Sequence, residues 1–294
     1  MKKNESRLPL LVAVLTYGLW GLLPVYWKLL APVPAVEVLA HRIFWSFLFL
    51  CILIATVGRW KNLTAEARAL LANRKRTLCL LAGAIFLSLN WLIFIWAVNH
   101  DRVVESGLGY YIHPLLNVLV GVAFFGERLS MRQLLAVLLA AAGVFYLTVN
   151  YGSVPFVALS LAASITLYGV FKKITGLSAL GGLTLETALL FPPAVLYFLV
   201  IYANGSAYPI APTPTFFFLA GAGVVTAVPL LCFAYSLKHL PLSLIGLISY
   251  ISPSVTLILG VFVYREPFTS VHLISFILIW VGLGLFSAAK RLPS

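Results

Sequence analysis

The chain has 294 residues, 62% of them hydrophobic and only 10% charged, with a net charge of +12 and a mean hydropathy of +1.04. Soluble domains carry roughly 25% charged residues, and one core of this size could not hide so much apolar surface. Composition therefore excludes a water-soluble protein, and it removes nucleic acid as the reason for the positive charge, which collects between apolar runs.

Ten runs are about 20 residues long, the length that crosses ~30 Å of hydrocarbon. The first, 8–28, follows Lys2, Lys3 and Arg7 as a signal peptide would, but no small-x-small cleavage site follows, so it is expected to stay as a span. The second, 35–57, opens with EVLAHR. Glu37 and His41, four residues apart, share a helix face, while Arg42 points about 100° away and lies about 10 Å inside the span. An ionisable residue at that depth is a site candidate by default. Glu37 is the nearest partner in sequence and Lys28, on the same side, another; the alternative is a structural ion pair tying the first two spans together, and Glu37 is expected to be more exposed to water than Arg42.

Residues 58–76 read as a basic amphipathic helix on the membrane surface. The third span, 77–98, has Asn90 and Trp91 near its middle, where an interfacial aromatic belt cannot explain them. The fourth, 107–125, aligns Tyr110, His113 and Asn117 on one face, and Pro114 frees the Tyr110 carbonyl. The fifth, 132–149, carries no site candidate. The sixth, 154–171, carries Tyr168, with Lys172 just beyond, and the seventh, 179–202, opens with GGLTLE and Glu186. After the eighth, 215–236, the ninth, 243–264, sets Ser249, Ser252 and Thr256 on one face around Pro253, with Tyr250 beside them. The tenth is 268–288. Glu127 and Glu266, at span ends, read as helix caps or anchors.

GLGYYIHPLLNVLVGVAFFGE (107–127) matches GLISYISPSVTLILGVFVYRE (246–266) without gaps at an offset of 139 residues, pairing Tyr111 with Tyr250, Pro114 with Pro253 and Glu127 with Glu266. Gly143 and Gly282 continue the register. Each half, 1–150 and 151–294, then has five spans, and an odd number forces the second half to enter the membrane from the opposite side. The expected fold is all-α, with ten transmembrane helices as two inverted-topology repeats, which in secondary transporters place binding between the halves near the midplane. The polar faces of the fourth and ninth spans are expected to oppose each other there and line a cavity. With both termini in the cytoplasm, sixteen of the twenty Lys and Arg residues fall inside, as the positive-inside rule requires.

The runs WGLLPVYWKLL, VPAVEVLAHRIFWS, NWLIFIWAVN, LGYYIHPLLNVLVGVAFFGERL and GLTLE resemble the RarD group of the EamA transporters, in the drug/metabolite transporter superfamily. The resemblance covers nearly the whole chain. It implies a bacterial inner-membrane protein that exports or exchanges small organic solutes, with Asn the family's residue where this chain has His113. The expected function is secondary transport of a small amino-acid-like or amphipathic metabolite by alternating access, with the lipid bilayer and the solute as partners and no enzymatic step. The residues expected to bind the solute are Glu37, His41, Arg42, Asn90, Trp91, Tyr110, His113, Asn117, Tyr168, Lys172, Ser249, Tyr250 and Ser252. Arg42 and Lys172 would attract a carboxylate, and Glu37 and His41 would exchange protons. No metal or cofactor is expected: Asp101 is the one aspartate, so no acidic cluster can form. Cys51, Cys79 and Cys232 have no CxxC spacing and read as buried apolar residues. GxxxxGK[ST], HxxxxD and DDxxD are all absent. The alternatives are a membrane-embedded transferase and a non-transporting scaffold or sensor.

Overall fold

The computed structural model describes residues 7–125, 130–151, 154–208, 214–240 and 248–288. They form α1 (Arg7–Lys28), α2 (Ala35–Thr56), α3 (Trp60–Leu71), α4 (Arg74–Asn99), α5 (Val103–Phe125), α6 (Met131–Tyr151), α7 (Phe156–Thr175), α8 (Ala179–Ala203), α9 (Pro214–His239), α10 (Ile251–Ile258) and α11 (Ser270–Ala288). A π-helical turn, Leu259–Val263, extends α10. Among the described residues there is no strand. All helices but α3 fall on the ten expected spans, and seven are long and apolar enough to cross a bilayer.

Local chemistry sets the ends. Asn73 caps α4 by accepting from the Arg76 N–H at 3.1 Å, and Ser178 caps α8 by accepting from Gly181 at 3.0 Å; such caps satisfy the free N–H groups of the first turn. Gly176, at φ 59°, ends α7 in the left-handed conformation that glycine adopts without strain. Short α3 buries Leu63 and Leu70 against its neighbours while Arg59, Lys61 and Arg68 stay exposed.

The packing is symmetric when the halves are exchanged. α4 packs on α7 and α1 on α9; α5 packs on α7 and α1 on α10; α2 packs on α9 and α4 on α8. The pairs α2–α8, α5–α10 and α6–α11 complete the set, each joining a helix to its own counterpart. On the axis, the rings of Tyr111 and Tyr250 stack with centroids 6.3 Å apart. A Cβ on Gly143 would lie 2.8 Å from the Ser275 carbonyl oxygen, and one on Gly282 would lie 2.7 Å from that of Ala136. Ala136 and Ser275 are themselves 139 residues apart, so this is one helix crossing made twice. Glycine is needed there because the backbones approach directly. The seam is filled by Leu108, Tyr111, Ala136, Ala140, Phe276 and Ile279. Large apolar side chains such as Phe145, Phe156 and Phe217 remain exposed on the outside of the bundle, where lipid replaces water as their solvent.

Candidate functional site

Arg42 lies between the halves, 5% exposed. Its guanidinium sits over the Trp91 ring at 4.0 Å and the Trp27 ring at 4.8 Å, within the range of cation–π attraction. Nε donates to Thr226 Oγ1 at 2.9 Å. Among the described residues no carboxylate reaches ion-pairing distance of it. Thr226 comes close because α2 and α9 nearly touch: a Cβ on Gly223 would fall 2.5 Å from the Trp45 carbonyl. Next to Trp91, the Asn90 amide donates to the Leu161 carbonyl at 3.1 Å and to Ser164 Oγ at 3.0 Å. Its oxygen accepts from Tyr110 Oη at 3.2 Å. Five helices, α1, α2, α4, α5 and α9, thus furnish the surroundings of the cation, with α7 tied to them through Asn90.

The structure separates the rest of EVLAHR from Arg42 and shows no ion pair between Glu37 and Arg42, the alternative reading. Glu37 is 1% exposed, no wetter than Arg42, and accepts from the Tyr208 backbone N–H at 3.1 Å. Lys28 pairs instead with Asp101 at 2.5 Å. His41 does share Glu37's helix, but its ring packs on Phe198 at 4.6 Å and neither nitrogen has a hydrogen-bond partner among the described residues. The cause is the 100° step between successive helical residues, which turns His41 toward α8 and Arg42 toward α9.

A second polar group lies between α7 and α8. Lys172 Nζ donates to both Glu186 oxygens, at 2.9 and 3.1 Å, and to Tyr168 Oη at 2.6 Å; Tyr168 Oη donates to Glu186 at 3.1 Å. Tyr168 and Lys172, both expected to bind solute, instead come together with Glu186, in a network apart from Arg42. Tyr168 and Trp91 border one apolar cluster.

The expected facing stripes on α5 and α10 are also corrected. Tyr110 turns to Asn90 on α4, whereas Tyr111 meets the other half, stacking on Tyr250 and bonding Ser254 Oγ at 2.6 Å. On α10, Thr256 donates to the Gly21 carbonyl of α1 at 3.4 Å, and a Cβ on Gly21 would lie 2.9 Å from the Ser252 carbonyl. Of the two stripes, Tyr110 thus bonds α4 and Thr256 bonds α1, beside which α10 packs. His113 and Ser249 are half-buried, and the Asn117 side chain lies outside the described residues, as does Glu127. Thr226, Ser164 and Ser254 escaped sequence reading: a lone hydroxyl in an apolar run carries no pattern. The Gly-Ala-Gly run at 221–223 was the available signal for a close crossing beside Thr226.

Residues 7–149 and 153–288 each match the EamA-like transporter family. The chain belongs to that family. EamA relatives include a Bacillus subtilis protein named the uncharacterized transporter YojE, 45% identical over 99% of this chain and 97% of the relative. Protein RarD of Escherichia coli is 38% identical over 97% of this chain and 96% of its own. One crystal structure, described only as that of a protein, superposes with a TM-score of 0.59 at 19% identity, covering 94% of this chain and 96% of the other; it speaks to the fold alone. Family and helices together make this EamA chain a multi-pass membrane transporter.

Proposed function

We propose that the chain is a secondary transporter of the bacterial inner membrane, with both termini cytoplasmic. Its halves, 1–150 and 151–294, alternate access to a small anionic or zwitterionic organic solute bound at Arg42. One observation carries this reading: a buried guanidinium bonded to a neutral hydroxyl and two indole faces, with no carboxylate among the described residues. Buried charges are ordinarily paired, and a planar guanidinium matches a carboxylate with two parallel bonds. Trp27, Trp91 and Tyr110 suit the apolar part of an amphipathic solute. Asn90, already satisfied on both sides of its amide, positions Tyr110 and α7, and needs no solute.

A thermal-shift panel of amino acids, nucleotides and aromatic carboxylates on the solubilised protein tests it. Carboxylate-bearing solutes should raise the melting temperature of the parent and leave Arg42→Gln unmoved. Equal protection of both proteins, or failure of Arg42→Gln to accumulate in the membrane while Arg42→Lys does, would assign Arg42 a structural part instead.

A further inference from the structure

Four polar ties join all five helix corners at the end where α1 runs into α2. Lys28 pairs with Asp101 at the α4–α5 corner. Glu37 holds Tyr208 beyond α8. Glu105 of α5 accepts from the Val157 N–H of α7 at 2.9 Å. Glu266, between α10 and α11, accepts from the Val103 and Val104 N–H groups of α5 at 2.6 and 2.7 Å. Glu37 also offers both oxygens, to the one Tyr208 N–H, and Glu105 also meets a first-turn N–H of the other half; the Glu266 tie combines the two on a pair of donors. It uses both oxygens of one carboxylate on the free first-turn donors of a helix from the other half, where the helix dipole favours negative charge.

The chain bends unusually to make it. α10 widens into the π-turn Leu259–Val263, a conformation rare outside functional positions. Arg265 then takes a left-handed φ of 54°, which strains a residue with a Cβ. The Glu266 N–H returns to the Gly260 carbonyl at 2.9 Å. Gly260 lets the turn lie on α5: a Cβ there would be 2.7 Å from Val104 Cγ2. A wide turn, a strained residue and a close approach all serve to aim one carboxylate, 8% exposed, at α5. Plain capping needs none of them, since a local Ser or Asn would do as well. Beside the tie lies a cavity of about 220 Å³ lined by Asp101, Arg102, Glu105, Glu266 and His272.

We infer that Glu266 is the extracytoplasmic latch of the transport cycle: its carboxylate on α5 holds the outer ends of the halves together, and its release opens the way to Arg42. Strain at Arg265 keeps the closed state from being too deep to leave, as stored backbone strain does in switch segments. The inference rests on the alternating-access reading but uses neither the solute nor the charge of Arg42.

The test is thiol labelling in the full chain, with Cys51, Cys79 and Cys232 replaced by serine and Thr226→Cys as reporter beside Arg42. A membrane-impermeant methanethiosulfonate is added to right-side-out and to inverted vesicles. Glu266→Gln, which loses the charge-assisted bonds, should raise labelling from the outside about tenfold and not from the inside. Arg265→Gly keeps the carboxylate and removes the strain, so it should lower outside labelling by about fivefold. Parent-like rates in either variant, or a Glu266→Gln rise in both vesicle types, which reports loosened packing, would overturn the latch. Should these rates behave as expected while no carboxylate protects the protein, the anion reading falls and the latch stands.

Discussion

At the scale of single residues, what matters is which charges have partners. Lys172 and Glu186 have each other: the glutamate side chain is 2% exposed and the lysine 29%. Removing the lysine alone strands a buried carboxylate, whereas removing both leaves a neutral gap. Lys172→Met should therefore cost at least about 1–3 kcal/mol, and Lys172→Met/Glu186→Gln distinctly less. Melting in detergent measures both, and additive losses would contradict the pairing. Arg42 shows how far residue chemistry can be read before the fold is known. Its depth and charge mark it, and i to i+4 spacing puts Glu37 and His41 on one face. Spacing does not say which helix that face meets. Glu37's true partner is the Tyr208 N–H, 171 residues away, and Arg42's is a threonine 184 residues away, so the local charge pattern suggested an ion pair that distant packing forbids.

At the scale of helices, the repeat was readable and the bends were not. The offset of 139 names Gly143 and Gly282 as counterparts, and the α6–α11 crossing uses both, each facing a carbonyl of the other helix. Alanine at either position forces the backbones apart. Gly143→Ala and Gly282→Ala should lower stability by similar amounts, about 1–3 kcal/mol each, while Gly18→Ala, whose Cβ would meet nothing within 4 Å, should not. Thermal unfolding of the three variants checks this, and a large difference between the two crossing positions would argue against equivalent roles. The π-turn at Leu259–Val263 had no such signature. Its residues read as an ordinary apolar run. The α5 and α10 stripes misled for a related reason. Tyr110 and Tyr111 are adjacent, and the one that meets its counterpart is decided by where α7 and α1 lie.

At the scale of the whole molecule, the helix pairs that cross between the halves correspond when the halves are exchanged, and they coexist with charges that obey no such exchange. Arg42 has no cationic counterpart in α8, and Glu186 pairs with a lysine that α1 does not supply. On the proposed alternating-access reading, the symmetric contacts would supply closure at either face and the asymmetric residues the chemistry. If both termini are cytoplasmic, a fluorescent protein fused after Ser294 should light up in whole cells, and an alkaline phosphatase fusion there should be inactive; the reverse outcome would invert the assignment of the latch to the outer face.

The doubled glycine crossing has one more consequence. A contact in which residue 143 sees 275 and residue 282 sees 136 is self-complementary, the rule that governs two-fold homodimers. On this reading the halves need no covalent continuity to assemble. Residues 1–152 and 153–294, produced as separate chains in one cell, should find each other and co-purify. Covalent continuity would serve to fix stoichiometry, leaving each half free to carry residues that the other could not tolerate.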